Sequence, residues 1–63
     1  MNIHMNIHSI LKFINKKRVV TTSEIASYFH VSWNTAEKYM LELTIQGKVI
    51  RLKKAGVNLW ILK

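Results

Sequence analysis

Residues 21–36 read TTSEIASYFHVSWNTA, and this stretch decides the fold. Thr21-Thr22-Ser23-Glu24 is a capping box: the threonine hydroxyl accepts from the amide three residues on, and the glutamate reaches back to the threonine's own amide. It opens a helix over about 22–29 whose inward residues are Ile25, Ala26 and Phe29. His30-Val31-Ser32 forms a three-residue turn, and Ser32 is a good N-cap for the next helix. That helix spans about 33–46, with Ala36, Met40 and Leu43 as its apolar stripe and Tyr39 on the margin. Gly47 ends it where a left-handed backbone is wanted.

Upstream, Ile3, Ile7, Ile10, Leu11 and Ile14 fall at offsets of four, seven, eight and eleven, one stripe of a 3.6-residue helix. The spacing predicts a first helix over about 3–17, with Met5, Ser9, Lys12 and Lys16 on its other face. It runs out in Lys16-Lys17-Arg18, where cations suit the negative end of the helix dipole. The β-branched pair Val19-Val20 predicts a short extended segment between the helices. Downstream of Gly47 the pattern alternates: Val49–Lys53 and Val57–Leu62 are β-rich runs separated by Lys54-Ala55-Gly56, a hairpin over about 49–62. The expectation is one domain over 1–63, mostly α with a small β-hairpin, an α+β class.

A chain of 63 residues buries only about 60% of the surface its unfolded form exposes, so its stability margin is thin. It has no cysteine to supply a disulfide or a thiolate metal site. Ten Lys or Arg stand against three Glu and no Asp, a net charge of +7, which predicts attraction to polyanions and chiefly to nucleic acid. No apolar run reaches the roughly 18–20 residues needed to cross a membrane. The first lysines follow the apolar stretch, the wrong order for a secretory signal. A cytoplasmic, nucleoid-associated protein is therefore expected. Three His, three Glu and several Ser compose no catalytic constellation, so neither an enzyme nor a cofactor is expected. These residues leave no room for a separate ligand-binding domain, so a small-molecule effector is not expected.

Two short helices joined by a three-residue turn, the second one N-capped, make a helix-turn-helix. The stretch from Val19 to Leu52 resembles the winged helix-turn-helix proteins, DNA-binding transcription regulators of bacteria, archaea and their viruses. The family's pattern is filled here by Thr21, Glu24, Ile25, Ala26, Val31, Ser32, Thr35, Ala36, Met40, Leu43, Gly47 and Val49. The resemblance covers about residues 10–63; each piece is weak alone, but the ordered set is fairly specific.

In a helix-turn-helix the second helix enters the major groove and offers its N-terminal side chains to base edges. Here those are Trp33, Asn34, Glu37 and Lys38. Asn34 can pair with adenine, Lys38 can reach guanine or a phosphate, and Glu37 can accept from a cytosine amine, although phosphates repel a carboxylate. Against this stands an ordinary solvated helix face. Ser32 and Thr35 either touch phosphate or simply cap. Trp33 either contacts a thymine methyl or sugar, or folds back over the core margin. The resemblance implies that the hairpin is a wing whose tip lies along a neighbouring phosphate backbone or minor groove. Arg51, Lys53 and Lys54 place three cations on it for phosphates, or merely guard a sheet edge against aggregation. Trp60, in the second strand, reads as core.

Leu41 and Ile45 lie on the side of the third helix away from its core stripe, where the family usually has polar residues, and predict a partner interface. The chain also opens MNIHMNIH. Four residues approximate a helical turn, so the duplication lengthens the first helix, and with Met5 this predicts a surface for pairing two chains. Alternatively Met5 is a duplicated translation start. His4 and His8 lack a third metal ligand, since His30 lies in the distant turn. A homodimer would offer two recognition helices to half-sites about 34 Å apart. Two other functions fit the same residues: a winged-helix protein-interaction adaptor, and a non-specific chromatin or architectural protein.

Overall fold

The computed structural model describes residues 5–63. These form, in order, α1 (Ile7–Lys17), β1 (Val20–Thr21), α2 (Thr22–Phe29), α3 (Trp33–Ile45), β2 (Val49–Lys54) and β3 (Val57–Leu62). The strands make one antiparallel sheet in the order β1-β3-β2, so the second hairpin strand lies between its partner and the short segment that precedes α2. Val20 stands opposite Trp60, and Thr21 opposite Leu59. The extended segment expected from Val19 and Val20 is thus a sheet strand, paired about 40 residues downstream. The result is an α+β fold of the winged-helix type.

α1 starts later than its periodicity predicts. Asn6 has extended backbone angles, and its side chain accepts from the Ser9 amide at 2.8 Å while the Ser9 hydroxyl accepts from the Asn6 amide at 3.0 Å. This reciprocal cap sets Ile7 as the first helical residue. The second copy of the repeat is therefore a helix start rather than an added turn; the first copy, with Ile3 and His4, lies outside the described residues. Met5, expected on a pairing surface, is partly buried and packs against the core.

The inward face of α1 also differs. Ile10, Phe13 and Ile14 are buried, Leu11 partly so, whereas Ile7 is exposed. Phe13 is drawn in by aromatic partners. Its ring stacks on Tyr28 at 4.1 Å between centroids and meets Phe29 edge-on at 5.9 Å. These residues join Val20, Ile25, Ala26, Ala36, Met40, Leu43, Val49 and Trp60 in one core. Ile10, Ile14, Val20, Ile25, Ala36, Met40 and Trp60 have no exposed surface.

α2 begins with the capping box at Thr21 and Glu24, and ends at His30, whose left-handed conformation (φ 57°, ψ 46°) turns the chain. The His30 and Val31 amides both donate to the Ala26 carbonyl. This turn sets α3 across α2. Gly47 (φ 75°) closes α3, with the Lys48 amide on the Leu43 carbonyl at 3.0 Å.

The hairpin turns on Ala55 (φ 52°) and Gly56 (φ 79°). Positive φ at both central residues is the type I′ geometry that matches strand twist. Alanine pays a steric penalty there that asparagine largely avoids. Ala55→Asn is therefore expected to raise unfolding free energy by up to about 1 kcal/mol, part of the left-handed penalty of an ordinary residue. A higher urea midpoint with an unchanged slope would show it.

Candidate nucleic-acid interface

Ser32 starts α3 by accepting from the Thr35 amide at 3.1 Å and donating to the Thr35 hydroxyl at 2.9 Å. Both hydroxyls are thus occupied in capping, with Thr35 half-buried. The leading end of the helix then presents Trp33, Asn34 and Lys38 to solvent. Trp33 is 49% exposed, so its indole neither joins the core nor stands clear of the molecule. Further along, Lys38, Tyr39 and Glu42 border a shallow depression with Thr35. Leu41 and Ile45 lie exposed beyond them, Ile45 by 80%.

Trp33 forms one wall of an open groove of about 270 Å³, lined also by Thr21, Thr22, Ser23, Lys53, Gly56, Val57 and Asn58. The groove therefore lies where the start of α2, the leading residue of α3 and the far end of the hairpin converge. Strand register divides the three wing cations. Arg51 is opposite Trp60 and Lys53 opposite Asn58, on the face turned to the helices, while Lys54 is opposite Val57 on the other face. Arg51, Lys53 and Lys54 are all exposed.

Glu37 departs most from its sequence-based expectation. One carboxylate oxygen accepts from the Thr22 hydroxyl at 2.7 Å, and the other accepts from the Asn58 side-chain amide at 3.0 Å. Thr22 in turn accepts from the Trp60 indole at 2.8 Å. A continuous chain of hydrogen bonds thus runs from β3 through α2 to α3 and back to β3. Glu37 spends both oxygens inside the protein rather than pointing at a base edge.

Thr22 and Asn58 are the residues that sequence reasoning missed. The capping box uses only Thr21 and Glu24, so nothing local marks the second threonine. Thr22 is 2% exposed, and its partners lie 15 and 38 positions away. Of the histidines, His30 serves as the left-handed cap and His8 is exposed, while His4 lies outside the described residues. Among the described residues no group of three or more His, Cys, Asp or Glu is placed to hold a metal ion. No helix among them is long and apolar enough to cross a membrane.

Three helices with a tight turn between the second and third, followed by a twisted basic hairpin, define a winged-helix domain. The chain belongs to the FaeA-like protein family, whose model matches residues 6–63. No curated protein matches the sequence.

The network predicts a sharp stability effect. Thr22→Val keeps the side-chain shape but leaves the buried Trp60 indole without an acceptor and removes a donor from Glu37. Leaving such groups unpaired costs on the order of 1–3 kcal/mol. Thermal unfolding monitored by circular dichroism should report a loss of that size, whereas Ser23→Ala, on the exposed neighbour, should change little.

Proposed function

We propose that this chain binds double-stranded DNA in a sequence-specific way and regulates transcription, without catalysis or cofactor. The observation that carries the reading is the exposed leading end of α3, bordered by a groove whose other side holds a wing cation, on a chain of net charge +7. Helices of this kind enter the major groove, and basic loops beside them neutralise phosphates.

Within that reading Asn34 pairs with adenine and Lys38 with guanine or a phosphate. Trp33, half-exposed on the wall of the groove, packs on a sugar or a thymine methyl. Ser32 and Thr35 hold the helix start and face the backbone. Arg51 and Lys53 approach the duplex from the helix side of the wing, and Lys54 grips phosphate from its tip. Two copies would occupy adjacent half-sites, with Leu41 and Ile45 available for pairing at the far end of α3. The action is in the cytoplasm, on the nucleoid.

A second reading, a protein-interaction adaptor, is favoured by the exposed aliphatic residues Leu41, Ile45, Ile50, Leu52 and Val57. Salt separates the two, because released counterions make DNA affinity fall steeply as salt rises, with a large specificity ratio for a regulator. Selection from a random duplex pool, followed by titration at two salt concentrations, decides between them; an adaptor would enrich no sequence and show no slope.

Two substitutions refine the test. Lys38→Ala is expected to weaken the selected site by about 1–3 kcal/mol with little change on random duplex, because a base contact carries sequence information. Lys54→Ala should weaken both duplexes alike and lower the salt slope by about one. A sequence-selective loss at Lys54 would contradict this placement of the wing.

A further inference from the structure

We propose that Glu37 is the positioning residue of the DNA-binding face: by holding Asn58 it sets the wing against α3 and stations Lys53 beside the groove, and it makes no base contact of its own. This rests on the DNA-binding reading above and adds to it the device that fixes the geometry.

Apolar burial does not anchor the far half of the hairpin. In β2 only Val49 is buried, and from Ile50 to Val57 every residue is exposed. Among the described residues, the side-chain hydrogen bond that ties this part of the molecule to a helix is the one from Asn58 to Glu37. Cross-strand register then passes the restraint on. Asn58 is opposite Lys53, so the two side chains share a face, and both line the groove with Trp33.

The other end of the linkage is rigid. The second oxygen of Glu37 is held by Thr22, itself buried and bonded to an indole that has no exposed surface. The carboxylate is thus a bridge between a fixed interior and a wing that would otherwise pivot on its sheet pairing. With both oxygens occupied by Thr22 and Asn58, the carboxylate is turned to an internal task and is not offered to a base edge.

The decisive variants reverse the bond. Asn58→Ala removes the donor, and Asn58→Asp sets a carboxylate against a carboxylate. Adding Glu37→Gln to Asn58→Asp restores the link with donor and acceptor exchanged: the glutamine oxygen still accepts from Thr22, its amide donates to the new carboxylate, and net charge stays at +7. In the free protein, amide hydrogen exchange at residues 53–58 should quicken at least about tenfold in either single variant and return towards the native rate in the double.

On duplex DNA, Asn58→Ala should lower the salt slope by about one. Lys53→Ala should then add little in that background, although it weakens the native protein. A merely structural role would shift the melting temperature and leave the two substitutions additive. Unchanged exchange in the single variants, no recovery in the double, or additivity with Lys53→Ala overturns the proposal. If the native protein shows no salt-dependent duplex binding, the DNA reading fails, and the exchange rates still decide whether Glu37 holds the wing.

Discussion

The hydroxyl of Thr22 is the point on which the three layers of this small domain meet. It accepts from the Trp60 indole in β3 and donates to Glu37 in α3, while its backbone begins α2 directly after β1. Apolar packing is non-directional and tolerates many relative orientations of two helices and a sheet. A buried hydroxyl with one acceptor and one donor in fixed positions tolerates far fewer, because any other arrangement leaves polar groups unpaired in a low-dielectric interior. The sheet therefore packs on the helices at one angle, and the groove between the wing and α3 inherits that angle.

The helices are short, from eight to thirteen residues, and each depends on a side-chain cap. Isolated segments of this length are marginal helices, so capping and tertiary packing together decide where they begin. Their ends are less economical. The chain has only two glycines, Gly47 and Gly56, yet Arg18, His30 and Ala55 also take positive φ. At Arg18 (φ 74°, ψ −53°) this strain turns the chain out of α1 and into the extended segment before α2, with Arg18 beside Ile61 and Leu62. Each such residue stores about 1–3 kcal/mol, held in place by the packing on either side.

What could be read from the sequence was local. The capping box at Thr21 and Glu24, the His30-Val31-Ser32 turn, the apolar stripe of α3 and the alternation in the hairpin all lie within a few residues, and they mark helix two, helix three and the wing. The start of α1 was not legible, because two copies of MNIH offer the same isoleucine spacing and only the Asn6–Ser9 cap chooses between them. Phe13 was missed because its burial comes from Tyr28 and Phe29, which are far along the chain. The partners of Glu37 are illegible for the same reason. On a helix wheel it lies beside Lys38 on the outer face, and nothing within α3 reveals that a threonine 15 residues earlier and an asparagine 21 residues later close on it.

The division of the wing's two faces follows from the same register. Ile50 pairs with Ile61 and Leu52 with Leu59 on the face away from the helices, while Arg51 and Lys53 occupy the helix side. Two of the three wing cations thus lie on the helix side, with Lys54 and the aliphatic surface turned away from it. Beyond Val49, which is buried in the core, a strand with this distribution is not drawn to the helices by burial, since Ile50 and Leu52 face outward. It is kept there by backbone pairing with β3 and by the polar contact at Asn58. The angle of the wing is consequently a hydrogen-bonded property of the fold, and it gives the Glu37 carboxylate a place on α3 that the exposed Glu42 on the same helix does not share.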